Sequence, residues 1–249
     1  MIPPNPHAKL WLFDFDNTLA ALEREVDWPG SRRELEAWLR ARGVNEEIFA
    51  EIPRGNLPLY AALHSQWLRT PQTTHIARPP SDAEALLRRA SEIIERHELI
   101  GADRAAPTPG AIDLLKAIAV RGAVAIIVTS NSSRTVAHWL ERHRAGNLVR
   151  AIVGRDGLLA LKPSPEMVAH AIAVATVPAA DAVFVGDSIA DFEAARAAGL
   201  GFYGIATTES ARDLLIAAGA TDLFASPAAL RIHLNLAPSE TASSDRDSN

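Results

Sequence analysis

The sequence predicts an α/β chain: a parallel sheet wrapped by helices, with an all-helical segment inserted after the first strand. Three observations carry this prediction. From Pro107 to about Leu236, short apolar runs alternate with helical patterns. The runs are continuous rather than alternating, as strands covered on both faces require. Between about residues 20 and 105 there is no convincing strand, only helical stripes.

In chain order, Leu10-Trp11-Leu12-Phe13 reads as the first buried strand. Ser31-Arg32-Arg33-Glu34 and Ser81-Asp82-Ala83-Glu84 have capping-box spacing. Leu35, Trp38 and Leu39 form one helical stripe. Tyr60, Leu63, His64 and Trp67 form a second, and Leu86, Ala90, Ile93, Ile94 and His97 a third. Pro79-Pro80 breaks the region between them. Further strands are expected at Ala123–Val128, Val149–Val153, Ala182–Val185 and Phe202–Ile205. Thr108-Pro109, Ser164-Pro165 and Ser226-Pro227 each offer an N-cap followed by Pro at the first helical position. Gly122, Gly199 and Gly219 stand where helices should end. Pro238 to Asn249 is rich in Ser and Asp and reads as a disordered tail. The expected division is a sheet domain of residues 1–19 and 106–237, a helical domain of 20–105, and a tail of 238–249.

Composition narrows the function classes. With 48% hydrophobic and 22% charged residues, the chain can bury a sizeable core. A net charge of −5 gives no basic footprint for nucleic acid. Without cysteine there is no disulfide framework and no thiolate nucleophile or ligand. The start is Pro-rich and its apolar run breaks at Asp14, unlike a signal peptide. No run of about 18 uncharged apolar residues suggests a membrane span. A cytoplasmic protein is expected.

The chemistry gathers at strand ends. Asp14 and Asp16 follow the first strand and, two residues apart, point the same way. Their repulsion needs an offset, and a hard divalent cation such as Mg²⁺ suits carboxylate oxygens. Asp14 is the candidate nucleophile. Asp16 is the candidate acid and base, and its carbonyl a candidate metal ligand. Thr129-Ser130-Asn131 closes the second strand and offers phosphate donors, Thr129 foremost because it comes first. Lys162, between the constraints of Pro163 and Pro165, is a held cation suited to a phosphoryl oxygen and a carboxylate. Gly186-Asp187-Ser188-Ile189-Ala190-Asp191 repeats the opening device. Asp187 is placed to bind metal, and Asp191 to hold metal-bound water or Lys162.

This order of motifs resembles the haloacid dehalogenase superfamily, across the whole sheet domain. The resemblance implies a Rossmann-like core and a mobile helical cap of the family's first type. It implies an aspartyl-phosphate mechanism with Asp14 as nucleophile, Asp16 as acid/base, Thr129 on phosphate, Lys162 as clamp, and Asp187 and Asp191 as metal acids. The Thr108-Pro109-Gly110 segment looks like the phosphoglycolate-phosphatase-like branch. Asn17 stands where many members have Gly; it tolerates the left-handed conformation, so activity should survive. Carbon–halogen and phosphonate members lack the second Asp, and the latter recruit a cap Lys. This chain has Asp16 and no Lys between residues 20 and 105.

The expected activity is therefore Mg²⁺-dependent hydrolysis of a small phosphorylated metabolite. A sugar-phosphate mutase on the same core is the alternative. A signalling receiver would carry its acceptor Asp on a middle strand, where this chain has Thr129. A dinucleotide binder would need a Gly-rich turn after a strand, and Gly154-Arg155-Asp156-Gly157 has the wrong spacing. A catalytically dead binding protein would not need every chemical position filled. Arg32, Arg33, Arg54, Arg69 and His64 are candidates for a second anionic group of the substrate. The helical insert is expected to move as a lid on two linkers, near Ala20 and Ala105.

Overall fold

The computed structural model describes residues 2–69 and 82–236. Pro79-Pro80, Ser81 and the expected tail lie outside these residues.

Six parallel strands form one sheet: β1 (Leu10–Phe13), β2 (Val124–Val128), β3 (Ala151–Val153), β4 (Ala182–Gly186), β5 (Gly201–Ile205) and β6 (Leu223–Phe224). Their order is β3-β2-β1-β4-β5-β6, so the first strand sits near the middle. Phe13 is level with Ile127 of β2 and Val185 of β4, which brings three strand ends to one height.

Successive side chains point to opposite faces, and the core divides accordingly. Trp11, Phe13, Ala125, Ile127, Val183, Val185 and Tyr203 face α5 (Ala111–Val120), α6 (Ser133–Arg142) and α10 (Pro227–His233). Leu10, Leu12, Ile126, Val128, Phe184 and Phe202 face α7 (Glu166–Ala175), α8 (Ile189–Ala197) and Leu215 of α9 (Glu209–Ala218). With both faces covered, the strands must be apolar throughout.

Between β1 and α5 the chain builds α1 (Trp28–Arg40), α2 (Glu46–Glu51), α3 (Asn56–His64), a π turn (Ser65–Arg69) and α4 (Ala83–Ala102). Their buried residues (Leu35 and Leu39; Tyr60, Leu63, His64 and Trp67; Ala90, Ile93 and Ile94) fall on the predicted stripes, whereas Trp38, Leu86 and His97 of those stripes are only half-buried. The segment leaves and rejoins the sheet through paired strands of backbone. Ala21 N–H donates to the Ala106 carbonyl at 2.9 Å, and Thr108 N–H to the Leu19 carbonyl at 2.9 Å.

Several local expectations need correction. Ser31 is no N-cap. Helix α1 starts earlier, because the Asp27 side chain accepts from Gly30 N–H and Pro29 fits the first turn, leaving Ser31 buried inside the helix. Thr108 does not cap α5. Gly110, at φ 82°, turns the chain into the helix instead, and its α-carbon lies against Ala228, where a β-carbon would come within 2.5 Å. Pro165 is the N-cap of α7 rather than its first residue. Ser226 caps α10 as expected. The strand expected from Val149 begins only at Ala151, because a 3-10 turn (Gly146–Leu148) occupies the approach. Strand β6 is two residues long and half-buried, too short to show a pattern. Gly219 ends α9 at φ 101°, as predicted.

Leu12 is fully buried at the sheet centre, whereas Val120 is 81% exposed. Leu12→Ala should cost about 2–5 kcal/mol in urea unfolding, while Val120→Ala should stay within about 0.5 kcal/mol. Equal losses would contradict this assignment of the core.

Candidate active site

Each candidate residue takes its place from the strand before it. Asp14 continues the ladder beyond β1, its N–H donating to the Val185 carbonyl at 2.8 Å. Thr129 does the same beyond β2, donating to the Val153 carbonyl at 3.0 Å. Asp187 follows β4 directly. In parallel strands these C-terminal ends share one edge of the sheet, where such folds bind ligands. They open into a crevice of about 1100 Å³.

Asp14, Asp187 and Asp191 each offer one carboxylate oxygen, all within 4.8 Å of one another. Asp191 is held rigidly. It lies in the first turn of α8, whose N-cap Ser188 donates from both its amide and its hydroxyl to Asp191 Oδ2, at 3.0 and 2.7 Å. Ser188 Oγ in return accepts from Asp191 N–H. Gly186 makes room for this, since a β-carbon there would come within 2.6 Å of the Asp191 side chain.

Lys162 enters from the loop before α7 and threads the cluster. Its Nζ lies 2.5 Å from Asp14 Oδ1 and 2.5 Å from Asp191 Oδ1, and donates to the Val128 carbonyl at 3.1 Å. All three side chains are more than nine-tenths buried. Burial works against the ammonium, but the two carboxylates more than reverse it and keep Lys162 charged.

One cation cannot balance this many acids. Burial, opposed by Lys162 and helped by Asp191, pushes Asp14 up to about 6. Burial, then Asp14 and Asp191, push Asp187 well above the carboxylate range. Asp16 rises to about 7, mainly through burial, although Glu23 N–H donates to its Oδ1 at 2.8 Å. Its side chain lies outside the three-carboxylate group. Hard oxygen donors left with excess negative charge are the donor set that suits Mg²⁺, so the residues fit the ion.

Asn17 adopts φ 58° after Asp16, the left-handed geometry foreseen for it, and donates from Nδ2 to Glu23 Oε2 at 2.7 Å. Thr129, Ser130 and Asn131 all line the crevice. Thr129 Oγ1 donates to Asn131 Oδ1 at 3.0 Å and accepts from Asn131 N–H at 3.1 Å, closing a tight turn. Asn131 Nδ2 points away from the acids, to Glu98 Oε1 at 3.0 Å. Ser130 is the half-exposed member of the three.

The insert supplies the facing wall through Trp28, Arg33, Arg54 and Leu57, among others. Arg33 and Arg54 are exposed there. Arg32 is committed elsewhere: its guanidinium pairs with Glu36 and donates to the Ile52 and Gly55 carbonyls, shaping the turn before α3. His64 is buried, with Nε2 2.9 Å from the Leu158 carbonyl. The Arg69 side chain lies outside the described residues.

Sequence reasoning missed Glu98 and Arg155, a fully buried ion pair beside the Thr129–Asn131 turn. Glu98 sits one step from His97 on a helical stripe, and Arg155 in a turn that reads as an ordinary loop. A charge amid buried positions of a helix was the available signal.

Residues 8–199 match the family model of the haloacid dehalogenase-like hydrolases. Over 92 residues, 37% of the chain, it is 38% identical to a phosphoglycolate phosphatase of Pseudomonas fluorescens, covering 34% of that protein. Over 117 residues it is 33% identical to a phosphoglycolate phosphatase of Pseudomonas syringae pv. tomato, covering 43% of it. The matched stretch thus spans less than half the length of these relatives. Among solved structures, CbbY of Rhodobacter sphaeroides, in complex with phosphate, is similar at TM-score 0.58 and 24% identity, over 90% of this chain and 96% of that one. A hydrolase of Pseudomonas syringae is similar at TM-score 0.58 and 23% identity, over 91% and 98%. These likenesses show the shared fold.

The raised Asp16 carboxyl has a consequence for stability. Between its unfolded value near 4 and its folded value near 7, the folded state retains a proton that the unfolded chain has lost, so the group weakens the fold as pH rises through that window. In chelator, the melting temperature of Asp16→Asn relative to wild type should climb between about pH 4 and pH 7 and level off above. A difference independent of pH would refute this.

Proposed function

The chain belongs to the haloacid dehalogenase-like hydrolases, and from that premise we propose that it is a Mg²⁺-dependent phosphatase of small phosphorylated metabolites, working through an aspartyl-phosphate. The observation that carries this reading is the Asp14–Lys162–Asp191 chain of ion pairs at the end of the central strand. Such a site holds a carboxylate nucleophile beside a fixed cation, which phosphoryl transfer requires. The phosphoglycolate phosphatases that it matches over part of their length point to the same reaction class.

Lys162 holds Asp14 Oδ1, which leaves the other oxygen to attack phosphorus. As the new O–P bond forms, the bond to the ester oxygen breaks, and Asp16 gives that oxygen its proton. Asp16 then takes a proton from water as the water attacks the phosphoenzyme, releasing phosphate and restoring Asp14. A carboxyl near 7 can serve in both directions at neutral pH. Ser130, Thr129 and Asn131 border the space for the phosphoryl oxygens, and Lys162 offsets their charge. Asp14, Asp187, Asp191 and the Asp16 carbonyl would hold Mg²⁺, which supplies charge neutralisation at the phosphoryl group.

Residues 20–105 would form the cap and residues 1–19 with 106–237 the core. The paired linkers at Ala21–Ala106 and Leu19–Thr108 would be the hinges of any cap movement, which would also have to break the buried Glu98–Arg155 pair. A crevice walled on one side by the insert would admit small esters better than phosphoproteins. Among the described residues no helix is long and apolar enough to cross a membrane, and the enzyme would work in the cytoplasm.

Asp14→Asn should abolish phosphate release with the circular dichroism spectrum unchanged; activity within about tenfold of wild type would mean another nucleophile. Asp16→Ala should lose about 10²–10⁴ in rate. Activity should vanish in chelator and return with Mg²⁺. Incubation with a hexose 1-phosphate separates the classes, since free phosphate supports the phosphatase and an isomeric phosphate the mutase.

A further inference from the structure

Arg155 is fully buried, and each of its five N–H groups has an acceptor. Nε donates to Ser91 Oγ at 3.0 Å. Nη1 donates to Glu98 Oε1 at 2.8 Å and to the Ser130 carbonyl at 2.7 Å. Nη2 donates to Glu98 Oε2 at 3.0 Å and to the Ser91 carbonyl at 3.3 Å. Ser91 and Glu98 belong to α4 of the insert, whereas Ser130 belongs to the turn after β2. Glu98 reaches the same turn, accepting from Asn131 Nδ2 at 3.0 Å and from Ser132 N–H at 3.1 Å. Tyr60 of α3 covers the guanidinium, its ring centre 5.9 Å away.

A buried charge pair is seldom retained for stability alone, since apolar residues of equal volume often do as well. Here the pair does something that apolar residues cannot. It fixes Asn131 and Ser132 by directed bonds to Glu98 of α4, and Ser130 by a bond to Arg155, which Glu98 and Ser91 of the same helix hold in turn. We propose that Glu98 and Arg155 are positioning residues: they set the turn that faces the phosphoryl group and couple it to α4. When phosphate settles the turn, α4 tightens; when α4 is released, the turn loses its shape. This rests on the reading of the crevice as a phosphate-ester site.

The test uses the full chain in two ways. In the double variant E98L/R155M no buried charge is left unpaired, so it should melt cooperatively. Its inhibition by inorganic phosphate should weaken on the order of 10- to 100-fold, with kcat/KM falling in parallel. The stabilisation by Mg²⁺ at the aspartates should be unchanged. A folded double variant with unaltered phosphate inhibition and kcat/KM overturns the proposal. Wild-type hydrogen exchange gives a readout that needs no variant. Inorganic phosphate should slow exchange at residues 130–132 and also at residues 91–98 of α4. Slowing at 130–132 alone overturns the coupling and leaves the phosphatase reading standing. No slowing at 130–132 overturns the phosphate site itself, and the coupling with it.

Discussion

The crevice depends on one buried ammonium. Lys162 lies between Asp14 and Asp191, each 2.5 Å away, in a place where burial alone would neutralise it. Without it, carboxylates brought together at the ends of β1 and β4 would repel one another in a medium that screens poorly. The sheet brings the acids together and cannot also separate them, because their height is fixed by the register of β1 with β2 and β4. A cation delivered from a separate loop resolves this conflict only in part. The charge left over is what a divalent ion would offset.

Directed polar contacts then carry the order outward. Ser188 fixes Asp191, Gly186 leaves space for it, and the Thr129–Asn131 turn is held from behind by Glu98 and Arg155. The insert is fastened to the sheet domain by linkers, by shared apolar packing and by directed polar contacts. Near Ala21 and Ala106 the link is backbone pairing between linkers, which can flex. At α4 it is a dry lock of four hydrogen bonds from Arg155 to Ser91 and Glu98.

Much of this was legible in the sequence because the signals were local. Asp14, Asp16, Thr129 and Asp187 each follow an apolar run, so strand identity alone placed them. Asn17 was readable because few side chains accept a positive φ. The less legible features depend on partners distant in sequence. Ser31 fits a capping box, yet Asp27 and Pro29 start the helix earlier and win by satisfying its first amides. Thr108 fits a cap, yet the packing of Gly110 on α10 decides that turn. Arg155 lies 57 residues from Glu98, and nothing near either residue announces the other. The direction of Asn131, toward Glu98 rather than the acids, follows from the same pair.

The place of β1 has a consequence for how the chain comes to be folded. It precedes the other five strands in the chain but lies inside the sheet, and its neighbours β2 and β4 begin at residues 124 and 182. The helices of the insert form from nearby residues and can be compact while Leu10–Phe13 still has no partner. Closing the loop to β4 brings together residues more than 160 positions apart, an entropic cost that grows only slowly with length but must be met before any strand contact repays it. During that interval the most apolar segment of the amino-terminal region is exposed. The two charges of Asp14 and Asp16 that immediately follow it discourage edge-to-edge association of unfinished chains.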